Sequence, residues 1–208
     1  HRKFKSLRLL KNKGQITPRE VNEAAQIAAG VNLARHLVNL PANVLEPDSY
    51  SEAIRKLFEK RPGVKIDVWN KSRLTKEKCG LILAVGQGAP HGPCIVHLKY
   101  RPKGSSGKKP VAFVGKGITF DTGGVDIKPS SGMRLMKKDM GGSAALVGLA
   151  YSMLESQLKV PADFYFCLAE NSVDAGSFRP GDVYVSRNGL TVEIDNTDAE
   201  GRLVMADG

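Results

Sequence analysis

Four carboxylates in this chain stand where chemistry is done rather than where a surface is made. Asp121, Asp139, Asp198 and Glu200 each lie beside glycines, at the end of a predicted strand or the start of a predicted helix. They belong to three segments. The first is Val114-Gly115-Lys116-Gly117-Ile118-Thr119-Phe120-Asp121-Thr122-Gly123-Gly124, running on through Val125-Asp126-Ile127-Lys128. The second is Met136-Lys137-Lys138-Asp139-Met140-Gly141-Gly142, and the third Asn196-Thr197-Asp198-Ala199-Glu200-Gly201-Arg202-Leu203. All four histidines lie outside them. A carboxylate cluster without imidazole or thiolate favours hard or borderline divalent ions. Gathered in one cleft, four carboxylates repel one another unless cations neutralise them. Two metals about 3.5–4 Å apart with bridging carboxylates do so and suit a hydrolase.

Each segment also has a plain structural account. Lys116 fits a turn lysine between two glycines, and Asp121-Thr122-Gly123-Gly124 fits an ordinary tight turn. Asp139 is placed to cap a helix starting at Gly141. Thr197-Asp198-Ala199-Glu200 has the pattern of a capping box. Gly115-Lys116-Gly117 is no phosphate loop, because no Lys-Ser/Thr pair follows a glycine-rich turn of the right length. Taken singly, no segment decides between the two accounts.

The set and its order do decide. Gly-Lys-Gly-Ile-Thr-Phe-Asp-Thr-Gly-Gly and Asn-Thr-Asp-Ala-Glu-Gly-Arg-Leu are long, specific strings, and with the middle segment they resemble the signature regions of the leucine aminopeptidase (cytosol aminopeptidase) family. Upstream, Asn32-Leu33-Ala34-Arg35 through Asn39-Leu40-Pro41-Ala42-Asn43 resembles that family's linking helix and the turn into its catalytic domain. The likeness covers the chain from about residue 20 onward.

The resemblance implies a metal-dependent aminopeptidase with leucine-type preference and two divalent ions, zinc with manganese or magnesium exchanging at one site. Position by position, it implies that Asp121 and Glu200 bridge the metals and that Lys116 and Asp139 complete the tighter site. Asp198 completes the exchangeable one. A free lysine has a pKa of ~10.4, so Lys116 must lose its proton to the metal to bind it. Lys128 would polarise the scissile carbonyl. Arg202 would hold a bicarbonate ion as general base, lying against Ala199, Gly201 and Arg202 where a helix N-terminus offers free N–H groups. Met136 would line the pocket for the first side chain, and Asn196 would help to position the peptide. The substrate's free α-amino group would meet the exchangeable metal, so that only the N-terminal residue is released. A homo-hexamer is the implied assembly. Two alternatives differ in class. One is a catalytically incomplete relative with a structural or DNA-binding role; the other, from the carboxylates alone, is a two-metal phosphohydrolase.

The elements that must hold these segments read as a mixed β-sheet flanked by helices, an α/β fold. Thr17-Pro18-Arg19-Glu20 starts a helix that should run to about Leu40 and stop at Pro41. A second helix starts near Pro47 with Tyr50, Ile54, Leu57 and Phe58 on one face. Val64 to Trp69 is a predicted strand, Leu74 to Gly80 a short helix, and Leu81 to Val85 an apolar run. Cys94–Tyr100 and Val111–Gly115 flank a basic loop and suggest a hairpin. Gly141 to Ser156 reads as a helix and Asp163 to Leu168 as a buried strand. Val183–Arg187 and Leu190–Ile194, joined by Asn188-Gly189, predict a second hairpin with a type I′ turn. Three divisions follow: a basic stub over 1–16, a linking helix and turn over 17–45, and a partial catalytic domain over 46–208.

Composition narrows the remaining classes. The 208 residues carry a net charge of +10. Residues 1–13 hold six of the Lys/Arg and residues 101–110 four more, with no acid in either, which accounts for the whole excess. A basic tail and a basic loop are ordinarily solvated surface, which argues against a nucleic-acid partner. The three cysteines form no disulfide framework or zinc spacing and fit a reducing, cytoplasmic compartment. No apolar run approaches the ~18–20 residues of a membrane span. The first residues show no secretory signal, and the lack of an initiator Met suggests that the true start lies upstream. A chain with these bounds, short of the family's usual extent, is expected to fold poorly alone.

Overall fold

The computed structural model describes Leu9, Lys11 and residues 14–208. Most of the basic stub expected over 1–16 therefore lies outside the described residues. Helix α1 (Pro18–Asn39) begins as expected: the Thr17 hydroxyl accepts from the Glu20 N–H at 3.2 Å while the Glu20 carboxylate accepts from the Thr17 N–H at 2.9 Å. Helix α2 (Pro47–Phe58) buries Tyr50, Ile54 and Phe58, four residues apart on one face. Strand β1 (Val64–Trp69) follows, then helices α3 (Lys71–Lys76) and α4 (Gly80–Val85). Beyond them come β2 (Cys94–Tyr100), β3 (Val111–Asp121), the short α5 (Ser130–Met133), α6 (Gly141–Glu155) and β4 (Ala162–Asn171). A small ribbon, β5 (Val183–Val185) with β6 (Thr191–Glu193), precedes α7 (Glu200–Ala206).

The main sheet has the order β1-β2-β4-β3, antiparallel except where β3 runs parallel to β4. The hairpin expected between β2 and β3 is therefore absent. Strand β4 lies between them, pairing Cys94–Tyr100 on one side and β3 on the other. It is apolar almost throughout and nearly all buried, so it stabilises the sheet most from a central position. The parallel β3–β4 pair needs a crossover, which α6 supplies.

Both faces of the sheet are covered. On one, Val96, Leu98, Phe164 and Phe166 pack with Tyr50, Ile54 and Phe58 of α2 and with Ala144, Val147 and Ala150 of α6. On the other, Ile95, Ile118 and Ala169 pack with Leu81, Ile82 and Val85 of α4 and with Leu203 and Val204 of α7. The apolar run Leu81–Val85 is thus a helix, and the short helix before it covers Lys71–Lys76 rather than Leu74–Gly80. Helix α4 is capped from far away. The buried Asp207 carboxylate accepts from the N–H groups of Leu81 at 2.8 Å and Ile82 at 3.0 Å, and from that of Arg187 at 2.8 Å.

The β5–β6 ribbon forms, but not through a type I′ turn. The Gly189 N–H donates to the Ser186 carbonyl at 2.9 Å. Gly189 has a φ of +88° while Asn188 keeps a negative φ. A type I′ turn needs both positive, and a longer loop closed by a left-handed glycine takes its place. Trp69 holds this region to the sheet, with the guanidinium groups of Arg73 and Arg187 at 4.5 and 4.8 Å from its ring centre. The basic loop after β2 is anchored at its base, where Arg101 pairs with Asp163 at 2.8 Å and His97 meets the same carboxylate at 2.9 Å. The three cysteines are free and buried. No helix among the described residues is long and apolar enough to cross a membrane.

Helices α1 and α6 touch backbone to backbone. A Cβ on Gly148 would fall 2.5 Å from the Gly30 carbonyl oxygen, and one on Gly30 2.4 Å from the Gly148 carbonyl oxygen. Gly148→Ala gains about 1 kcal/mol of helix propensity but meets main chain that cannot rotate away, and overpacking costs about 1–3 kcal/mol. We expect a net loss of up to about 2 kcal/mol, read as a lower denaturant midpoint; a raised midpoint would show that the helices separate freely.

Candidate metal centre

The three segments converge at the C-terminal ends of β3 and β4. One carboxylate oxygen from each of Asp121, Asp198 and Glu200 lies within 4.8 Å of the others. Asp139 joins through Lys116, whose Nζ is 2.9 Å from Asp139 Oδ2 and 2.6 Å from Glu200 Oε1. Lys128 closes the other side, with Nζ 3.0 Å from Asp121 Oδ2 and in contact with Asp198 Oδ1. All four carboxylates and both lysines singled out in the sequence therefore share one site.

Local chain geometry explains how they get there. Lys116 projects from β3 over the first turn of α7, and any side chain beneath it would displace its ammonium end from this position. A Cβ on Gly201 would lie 2.6–2.9 Å from Cδ, Cε and Nζ of Lys116. Asp121 ends β3 after an irregularity in its pairing with β4. Gly123 and Gly124 then take φ values of +89° and +67°, which side chains rarely allow. The loop they make returns Lys128 to the site, its N–H bonded to the Thr122 carbonyl at 2.9 Å.

The capping accounts fail. Helix α6 has Met140 at its cap position and no side-chain cap, because Asp139 is turned toward Lys116. Helix α7 likewise has no side-chain cap, because Glu200 is turned inward. Asp121 serves both as a turn residue and as a site residue, since its Oδ1 accepts from the Gly123 N–H at 2.9 Å.

Electrostatics sets the character of the site. Glu200 is fully buried, and neither carboxylate oxygen has a hydrogen-bond donor. Lys116 Nζ is within ion-pairing distance of Oε1 but outside hydrogen-bond geometry, and the same holds for Asp139 Oδ2. Burial pushes the Glu200 carboxyl up to about 7, and the nearby Asp121 charge adds to this against the pull of Lys116. Burial also raises Asp139. It works against the charged forms of Lys116 and Lys128, but their carboxylate partners outweigh it and hold both above the ordinary lysine range. Two ammonium groups against four carboxylates leave the cluster short of positive charge. Oxygen donors, among them a buried carboxylate whose ion-pair partner is Lys116, fit hard divalent cations.

The remaining predicted residues surround this cluster. Met136 opens the 3-10 turn that leads to Asp139 and is half-buried. Asn196 is exposed and accepts from the Asp198 N–H at 2.7 Å, shaping the turn that presents Asp198. Ala199 is half-buried and Gly201 buried against Lys116. Arg202 is exposed on the first turn of α7, and among the described residues it makes no ion pair. His36 is exposed, His91 lies 3.0 Å from Glu46, and His97 belongs to the sheet; none reaches the cluster.

Three supporting residues were not foreseen. The buried Thr197 donates its hydroxyl to the Gly123 carbonyl at 2.6 Å, and its N–H donates to Asp126 Oδ2 at 2.8 Å. Asp126 in turn donates its N–H to the Thr197 hydroxyl at 3.0 Å. Asn171, fully buried at the end of β4, donates to Asp121 Oδ1 at 2.8 Å and to the Thr197 carbonyl at 3.0 Å. The one hint in the sequence was an amide closing β4, two residues past its apolar run.

Comparison with known proteins adds an independent line. The model of the cytosol aminopeptidase family, catalytic domain, matches residues 32–208. A probable cytosol aminopeptidase of Stutzerimonas stutzeri is 46% identical over 189 residues, covering 91% of this chain and 38% of the relative. One of Wolbachia pipientis wMel is 44% identical, covering 91% and 37%. Among solved structures, an apo leucyl aminopeptidase from Trypanosoma cruzi matches with a TM-score of 0.85 and 38% identity, over 89% of this chain and 36% of that one. The chain spans a little over a third of the length of these relatives.

The Thr197 network generates a stability prediction. Thr197→Val keeps the side-chain shape and removes the hydroxyl, leaving the Gly123 carbonyl without that donor. An unmade buried hydrogen bond costs about 1–3 kcal/mol, and equilibrium denaturation should show a loss in that range. A wild-type midpoint would mean that the network adds nothing to the fold.

Proposed function

The chain belongs to the cytosol aminopeptidase family, and from that premise we propose that it carries the dinuclear centre of an aminopeptidase that removes N-terminal residues, with leucine-type preference, from peptides. The observation that carries this is the buried Glu200 carboxylate without a donor, set among Asp121, Asp198 and the Lys116–Asp139 pair. Asp121 and Glu200 would be shared by two ions, Lys116 and Asp139 would complete one position, and Asp198 the other. Two divalent ions, zinc with manganese or magnesium exchanging at one position, would acidify a shared water and polarise the peptide carbonyl.

The chain's own residues supply the rest. Lys128, at the rim of the cluster, answers the negative charge that develops on the carbonyl oxygen. Arg202, exposed and without an ion-pair partner among the described residues, would hold a bicarbonate beside Ala199 and Gly201, and that anion would supply a general base. The peptide's α-amino group sits beside Asp198, which limits cleavage to the first residue. Met136 faces the first side chain, and Asn196 keeps the Asp198 turn in place. Family membership favours a peptidase over a phosphohydrolase. It also supports a cytoplasmic location and a homo-hexameric assembly. The family's catalytic-domain match begins at residue 32, within the linking helix expected over 17–45, so the start of the catalytic part at 46 rests on the sequence pattern alone.

Elemental analysis of the intact protein after dialysis tests the centre. Near two metals per chain are expected in the wild type and clearly fewer in Asp121→Ala, with circular dichroism confirming the fold of both. Aminoacyl-anilide but not phosphate-ester hydrolysis should accompany the metal, and a folded wild type without metal would refute the proposal. Lys116→Arg keeps the charge but cannot be deprotonated, so it should also lose metal; full retention would show that Lys116 is no ligand. Lys128→Met should keep its metal and lose about 100- to 1,000-fold in kcat, whereas an unchanged kcat would remove it from the reaction.

A further inference from the structure

We propose that Asn171 is the positioning residue of this centre: it orients the Asp121 carboxylate and fixes it to the segment that carries Asp198 and Glu200. This rests on the dinuclear reading above and assigns a role outside the set of ligands.

Both amide hydrogens of Asn171 are committed. One goes to Asp121 Oδ1 at 2.8 Å and the other to the Thr197 carbonyl at 3.0 Å. The Gly123 N–H adds a second donor to the same Oδ1 at 2.9 Å. Two donors saturate that oxygen and leave Oδ2 to face Lys128, 3.0 Å away. Asn171 therefore selects which oxygen of Asp121 meets a cation. The Thr197 carbonyl precedes Asp198 by one peptide unit, so the same amide sets the height of the turn that leads to Asp198 and Glu200. The two ligand-bearing segments are 77 residues apart between Asp121 and Asp198, and Asn171 bonds to both at once.

The side chain has no freedom to do otherwise. It is fully buried, and its register opposite Asp121 comes from the parallel β3–β4 pairing. Its Oδ1 has no donor and lies 3.1 Å from where a Cβ on Gly124 would stand, so it packs against the tight turn. An amide needed only to fill space would bring no such pair of directed bonds, and leaving one acceptor unmet inside a protein carries a cost. Groups that hold metal ligands in place commonly change metal affinity by about 10- to 100-fold when removed.

The test is metal affinity in the intact, folded protein. Wild type, Asn171→Ala and Asn171→Ser are titrated with Zn2+ against a competing chelator, and the visible absorption of the Co2+-loaded proteins is recorded. We expect affinity to fall at least tenfold in Asn171→Ala and the Co2+ bands to shift, with Asn171→Ser, which keeps one donor, in between. If Asn171→Ala does not fold, Asn171→Ser decides by the same two measurements. Wild-type affinity with an unshifted Co2+ spectrum in a folded variant overturns the positioning role alone. Absence of bound metal in the wild type overturns the dinuclear centre as well, so the two failures are distinct.

Discussion

A fully buried glutamate without hydrogen-bond donors is the constraint around which the rest of this structure is arranged. Isolated, such a group costs several kcal/mol or gives up its charge. Glu200 is tolerated because α7 enters the sheet region beside Lys116, and because Gly201 lets that lysine lie flat against the helix. The lysine alone does not balance the cluster. The Asp121 charge adds to the cost of ionising Glu200 and Asp139, and more positive charge makes the arrangement favourable. The site is organised for cations before it is organised for a substrate.

Holding such charges together requires a rigid frame, and the frame is the parallel β3–β4 pair. Strand β3 carries Lys116 and Asp121, while β4 delivers Asn171 to the end of the sheet. The α6 crossover between them brings Asp139 to the same end. Its tight contact with α1 through Gly30 and Gly148 fixes the helix layer over the sheet. On the opposite face α4 and α7 pack together, so Glu200 and the helix that bears it are anchored by Leu203 and Val204. Lys116, Asp121 and Glu200 are thus tied to elements with their own apolar contacts, while Lys128 and Asp198 are carried on turns held by hydrogen bonds.

Much of this was legible in the residues. The glycine-flanked carboxylates could be read because a ligand cluster confines its neighbours to small residues and sharp turns over a short stretch of chain. The ends of α1 and α2 were legible for the same reason: Thr17, Glu20, Pro18, Pro41 and Pro47 act locally. What escaped was non-local. Adjacent strands β2 and β3 looked like a hairpin, and nothing between Tyr100 and Val111 announces that β4 will come between them. Leu81–Val85 looked like a buried run of undecided type, since its helical form depends on a carboxylate more than a hundred residues away. Asn171 and Thr197 were invisible as site residues because their partners, Asp121 and Gly123, lie in another segment.

That distant cap has a consequence for how the molecule is made. The N–H groups at the start of α4 are satisfied by Asp207, 126 and 125 residues further along the chain. A ribosome adding about 5–20 residues per second needs roughly 6–25 s to cover that interval. Throughout that time the apolar Leu81–Val85 segment has neither its cap nor the α7 surface against which it packs. The nascent chain must therefore carry one face of its sheet uncovered until synthesis passes α7. Capping of α4 and closure of that face by α7 come together, once both partners of the contact exist.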